Sequence, residues 1–265
     1  MGLEPSAEGS RTFQVAGSAY DRFMGRYSQP LAAKFADAAG VAAGQHVLDV
    51  GCGPGALTSE LVVRLGAGAV AAVDPSPPFV EECARRNEGV DVRAGAAEEL
   101  PFPDESFDAA LAQLVLHFVT NPDAAAAEMR RVLRPGGVAA ACVWDFAGGM
   151  AMLRAFWGAA RAVDPSPPDE AMTRRFGRAG EIDSLFEGAG LRDVEGGALE
   201  VEAAYEDFED LWAGFLTGTG PAGTYCVGLE PPRQAALKDE LWHRLGRPEG
   251  AFALPARAWY AVGRR

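Results

Sequence analysis

The sequence is poor in histidine and cysteine, has no long apolar run, and carries no excess of positive charge. Three histidines and four cysteines occur in 265 residues. Cys52, Cys83, Cys142 and Cys226 form no C-x-x-C pair, so neither a disulfide framework nor a thiolate zinc site is suggested, and reduced core residues are expected. No segment approaches the roughly 20 consecutive apolar residues that cross a bilayer. The opening MGLEPSAEGSRTFQ has no apolar centre of a signal peptide, so a cytoplasmic location without a membrane partner is expected. A formal charge of −13 works against a sequence-independent grip on a phosphate backbone, and nucleic acid is not an expected partner.

What is present is ample core material, 48% hydrophobic residues, in an alternating order. Residues 1–19 read as a loosely held polar arm, and 20–265 as one domain. YSQPLAAKFADAAG has helical spacing, with Ser28 as a candidate N-cap, Pro30 in the first turn and Gly40 as the stop. HVLDV, AVAAVD, VDVRA, SFDAALAQ and GVAAACVWD read as five strands, and helical stretches separate most of them. Such alternation predicts a doubly wound, mostly parallel α/β sheet, with ligands bound beyond the C-terminal strand ends at the switch point. After Asp145 come a helix, a second helix, the strand-like LRDVEGGALEVEAAY, two further helices and a final strand, FALPARAWYAVGRR. Helical cap insertions are expected at about 146–178 and 205–250. GFLTGTGPAGTY is either a mobile lid or a loop between helices.

HVLDVGCGPGALTSEL puts three glycines at alternate positions directly after the first strand. A glycine turn between strand and helix lets backbone approach a ligand where a side chain would collide, which implies a nucleotide-like ligand. Gly51, Gly53 and Ala56 also satisfy the dinucleotide pattern G-x-G-x-x-G/A, and Asp74 lies at about the distance of its ribose-binding acid. Three features favour another ligand. Asp49 stands beside the loop, where a carboxylate suits a cationic amino-acid end and repels a pyrophosphate. Pro54 removes an N–H that a phosphate cradle would use. The chain also lacks a second mononucleotide-binding half.

These residues resemble the class I S-adenosylmethionine-dependent methyltransferases, in the broad group that includes ubiquinone and sterol methyltransferase-like enzymes. The resemblance covers most of Tyr20 to Trp144 and rests on LDVGCGPG, VDPS, GAAEELPFPDESFDAAL and VLRPGG occurring in order. It implies a seven-stranded sheet with an antiparallel last strand, S-adenosyl-L-methionine as cofactor and S-adenosyl-L-homocysteine as product. Gly51, Gly53 and Gly55 would let the loop run beneath the methionine and ribose parts, with Asp49 close by. Asp74 would accept both ribose hydroxyls, Pro75 and Ser76 would flank the adenine, and Gln113 would meet the methionine portion. Relatives often read Gly-Asp-Ala where this chain has Gly95, Ala96 and Ala97, so backbone groups of Ala96 and Ala97, with Glu98, would hold the adenine. Tyr20 or Tyr27 would stack near the sulfonium, and Arg26 would pair with the methionine carboxylate.

The reaction class expected is in-line methyl transfer to a small, partly apolar acceptor, for which positioning can supply much of the rate. No catalytic residue is assigned. His117 and Asp145 are the base candidates, but LVLHFV suits a packed histidine and Asp145 suits a turn. Aromatics from Trp144 to Tyr225 would form core and wall an acceptor pocket. No metal is indicated. The alternatives are an NAD(P)-dependent oxidoreductase, from the G-x-G-x-x-A overlap, and a non-catalytic S-adenosylmethionine-binding protein.

Overall fold

Short apolar runs alternating with amphipathic helices build one seven-stranded sheet in the computed structural model, which describes residues 21–172 and 174–265. The arm expected at 1–19, Tyr20 and Thr173 lie outside the described residues. Strands β1 (Val47–Val50), β2 (Val70–Asp74), β3 (Asp91–Ala94), β4 (Phe107–Gln113) and β5 (Leu133–Trp144) are parallel. β6 (Arg192–Tyr205) and β7 (Phe252–Arg264) complete the order β3-β2-β1-β4-β5-β7-β6, with β7 antiparallel to both neighbours. The order reverses between β1 and β4, so a crevice opens beyond their C-terminal ends.

Every residue of β1 and β2 is buried, as a parallel sheet covered on both faces requires. Ala109, Ala110 and Ala112 of β4 and Ala139 to Ala141 of β5 are almost wholly buried, and their small side chains admit close packing of the flanking layers. The helices between the parallel strands are α2 (Ala56–Leu65), α3 (Pro77–Arg86) and α4 (Pro122–Val132), following α1 (Arg26–Ala38). α5 (Ala151–Val163) and α6 (Glu181–Gly188) lie between β5 and β6, and α7 (Phe208–Phe215), α8 (Gly220–Val227) and α9 (Pro231–Arg244) between β6 and β7. Phe156 of α5 stacks on Phe215 of α7 at 4.3 Å between ring centroids, tying these two segments together. No helix of the described residues is long and apolar enough to cross a membrane.

Three expectations change. Ser28 is not an N-cap: α1 starts at Arg26 out of a π-type turn, Asp21–Gly25, so the chain is already helical when it reaches Ser28. Pro30 sits inside the helix, where it costs one backbone hydrogen bond. VLRPGG, which in the resembled family is the turn before the fifth strand, ends α4 at Val132 and runs on as an irregularity at the start of β5. Phe107 pairs with Leu133 and Ala109 with Val138, and a Cβ on Gly137 would lie 2.9 Å from the Arg134 carbonyl oxygen. Of GFLTGTGPAGTY, read as lid or loop, residues 216–219 join two helices and the second half opens α8; its glycines obscure the periodicity but permit contact, since a Cβ on Gly223 would lie 2.8 Å from the carbonyl carbon of Gly218.

Candidate functional site

At the end of β1 the backbone turns through Gly51, Gly53 and Gly55, with φ of +74°, +52° and +99°. L residues rarely adopt these angles, and two of the positions are also crowded. A Cβ on Gly51 would meet Val115 Cγ2 at 2.5 Å, and one on Gly55 would meet Asn87 Nδ2 at 2.7 Å; Gly53 faces open space. The Gly51 and Cys52 N–H groups both donate to the Val73 carbonyl, at 2.7 and 3.0 Å, fastening the loop to β2. Asp74, the last residue of β2, completes the brace. Its Oδ2 accepts from Gly53 N at 2.9 Å and its Oδ1 from Ser76 N at 2.8 Å. Each oxygen retains capacity for a second donor. Burial raises the Asp74 carboxyl above its ordinary value despite these two bonds.

The loop borders a partly open cavity at the C-terminal ends of the strands. Among the expected residues, Asp49, Gly51, Gly53, Asp74, Pro75, Ser76 and Gln113 line it. Gly55 does not; it serves the packing of loop against α3. Asp49 is 1% exposed, and its Oδ2 accepts from Thr58 Oγ1 at 2.6 Å. Burial pushes its carboxyl up to about 7, the Thr58 hydroxyl opposing this and the neighbouring Asp74 adding to it. Gln113 Nε2 donates to the Ser28 carbonyl at 3.0 Å. Among the described residues, Asp49 Oδ1, Gln113 Oε1 and Ser28 Oγ are buried without a partner, and all three residues line this one cavity. Such orphaned atoms are costly unless a ligand meets them.

Other expected residues are placed elsewhere. Arg26 does not line the cavity: its guanidinium forms a bidentate pair with Asp210, with Nη1 to Oδ2 at 2.7 Å, donates to the Ala204 carbonyl and lies over the Tyr205 ring. It ties α1 to the β6 end, and its expected pairing with a ligand carboxylate is corrected by that geometry. Tyr27 is fully buried and accepts from the Tyr205 hydroxyl, away from the cavity lining. Ala96 pairs with Glu99 in an isolated bridge, Ala97 is buried, and Glu98 accepts from Thr120 N and Asn121 N; none of the three borders the cavity. Asp145 is a turn residue, accepting from Gly148 N at 2.9 Å and pairing with Arg257 at 2.6 Å. Against burial, those contacts hold its carboxyl below the usual range and engage both of its oxygens.

The sequence reading missed Cys52, Phe79, Leu114, Val115 and Phe118 on the wall. Leu114 had no sequence signal, yet its φ of +63° is unusual for a bulky residue. Its N–H donates to the Cys142 carbonyl at 2.8 Å, so the parallel neighbour holds that strained conformation at the cavity edge.

Residues 48–141 match the methyltransferase domain family. Over 145 residues the chain is 39% identical to the demethylmenaquinone methyltransferase of Tropheryma whipplei, covering 52% of this chain and 59% of that one. The chain spans between 30% and 59% of the length of eight of the curated relatives it matches. Among solved structures, one from Anabaena variabilis, described as a methyltransferase of an antibiotic biosynthesis pathway, superposes with a TM-score of 0.62 at 19% identity, over 87% of this chain and 96% of that one. A geranyl diphosphate methyltransferase in complex with S-adenosylmethionine gives 0.51 at 17% identity, over 89% and 85%.

Proposed function

From the premise that residues 48–141 are a methyltransferase domain, in a chain with the class I S-adenosylmethionine-dependent methyltransferase fold, we propose that this protein transfers a methyl group from S-adenosylmethionine to a small, partly apolar acceptor. The observation that carries this reading is the set of orphaned buried oxygens of Asp49, Gln113 and Ser28 in the same cavity as Asp74. An amino-acid end offers donors to these acceptors, and a ribose offers two hydroxyls to the Asp74 carboxylate. A dinucleotide pyrophosphate would instead face Asp49, which favours the methyltransferase over the oxidoreductase.

When bound, the sulfonium supplies an electrophilic methyl group. The chain's own residues supply position. Asp74 holds the ribose while bracing the loop through Gly53 and Ser76; Pro75, Ser76 and Phe79 border the adenine; Asp49 and Gln113 take the amino-acid end. The cap segments at about 146–178 and 205–250 wall the acceptor side and exclude water. The partner is thus a small molecule, without nucleic acid or membrane, in keeping with the acidic charge.

A thermal-shift comparison tests the choice of ligand. At about 100 times its Kd, S-adenosylhomocysteine should contribute about 2.7 kcal/mol to stability. For a protein of this size that is a rise in Tm on the order of 5–10 °C. NADH should give none. A shift with NADH alone would replace this reading with the oxidoreductase.

A further inference from the structure

A second, partly open cavity adjoins the first and shares Leu114 and Phe118 with it. Its walls come from far apart in the chain: Phe23, the β4 end, Trp144 and Phe146 after β5, Leu153 of α5, and Gly220 to Ala222 of α8. They are largely aromatic and apolar. Two wall residues carry buried polar atoms without a partner among the described residues, His117 Nδ1 and Trp144 Nε1. His117 is 7% exposed and packed against the rings of Phe118 and Phe146, at 3.9 and 5.3 Å. Trp144 is 2% exposed.

The chemistry of these two atoms differs. An indole N–H only donates, whereas a neutral imidazole has one nitrogen that accepts. Burial, and then the charge of Arg174, hold His117 well below its ordinary value, so the ring is neutral. Glu170 and Arg174 also border the cavity; burial raises the Glu170 carboxyl to about 7, and its Oε2 accepts from Trp157 Nε1 at 2.7 Å. An ammonium would meet Arg174 as well as Glu170, and a carboxylate Glu170 as well as Arg174, so the lining matches neither charge alone. An ether accepts without donating. A hydroxyl does both, and so matches in kind the orphaned acceptor and the orphaned donor.

We propose that this second cavity is the acceptor site, that the acceptor is a neutral aromatic or enolic alcohol, and that its hydroxyl donates to His117 Nδ1 and accepts from Trp144 Nε1. The inference rests on the methyltransferase reading and names the substrate class within it. In the transfer, the hydroxyl oxygen bonds to the methyl carbon as the carbon–sulfur bond breaks with its electron pair left on sulfur, and the hydroxyl proton passes to His117 Nδ1. A weakly basic imidazole suffices, because an oxygen gaining a methyl group becomes strongly acidic. His117 is then a catalytic residue and Trp144 orients the hydroxyl.

Equilibrium binding of 2-naphthol and naphthalene to the full chain, with and without S-adenosylhomocysteine, tests this without turnover. The wild type should bind 2-naphthol about tenfold or more tightly than naphthalene, the range expected of one well-made buried hydrogen bond. His117→Phe and Trp144→Phe should each reduce that preference while retaining naphthalene binding and the far-UV circular dichroism of the parent. Equal binding of the two probes, or a preference unchanged in His117→Phe, overturns the assignment. Should Trp144→Phe fail to fold, His117→Phe decides alone. S-adenosylhomocysteine failing to bind the wild type would remove the methyltransferase reading instead, and the naphthol comparison would still decide the site.

Discussion

Asp49 is a carboxylate in an apolar setting, with one oxygen on Thr58 and the other unpartnered. Its carboxyl is raised to about 7, and that of Glu170 to about 7 as well, both chiefly by burial. An unfolded carboxyl titrates near 4, so between about pH 4 and 7 the folded state keeps protons that the unfolded state has lost. Stability therefore falls as pH rises through that window, by up to about 1.4 kcal/mol per pH unit for each such group. Asp49→Asn should be progressively more stable than the wild type from pH 5 to pH 8, measured as the difference in Tm. A difference that stays constant with pH would contradict the burial argument. The same charge is what a cationic amino-acid end would need. Affinity for S-adenosylmethionine should rise through pH 7 in the wild type and stay flat, about tenfold weaker at pH 8, in Asp49→Asn.

At the scale of elements, the glycine loop divides its work. Gly51→Ala would force a Cβ into Val115 at a positive φ, so a loss of about 1–3 kcal/mol is expected, only partly relieved by adding Val115→Ala. Gly53→Ala meets nothing within 4 Å of its Cβ and bears only the cost of its φ, about 1 kcal/mol. Its larger effect should be on S-adenosylhomocysteine affinity, because the new methyl group stands on the cavity wall. Chemical denaturation and titration on both variants separate the two roles; equal losses of stability would contradict the division. The loop's place and the strands around it were legible in the sequence because alternating apolar runs and left-handed glycines leave local marks. Which glycine packs and which faces the ligand was not legible, since Val115 and Asn87 arrive from other strands and helices. Ser28 illustrates the same limit: a local capping signal yields to the π-type turn upstream, and the residue is buried at the cavity instead.

At the scale of the whole molecule, the sheet order brings the ends of β1, β2 and β4 to one crevice, while α5, α7 and α8 stand beyond β5. The cofactor side was readable as a motif because it is built from neighbouring loops in sequence order. The second cavity was legible only in part: aromatics after β5 were expected as a pocket wall, but which of them meet was not, because Phe23, His117, Trp144 and Ala222 come together only through tertiary packing. Its support is the aromatic contact of Phe156 with Phe215, and Phe215→Ala should cost about 3–5 kcal/mol, read from denaturant unfolding. A cost below about 1 kcal/mol would mean that α5 and α7 are not coupled through this stack.

The central claim is that the cavity at the β1–β4 crevice holds an adenosyl amino acid through Asp74. Isothermal titration of the full chain with S-adenosylhomocysteine, repeated on Asp74→Ala and with NADH, tests it most directly. The account predicts micromolar binding to the wild type, a loss of about 100-fold in Asp74→Ala, and no heat from NADH. Undiminished binding in Asp74→Ala, or binding of NADH in place of S-adenosylhomocysteine, would contradict it.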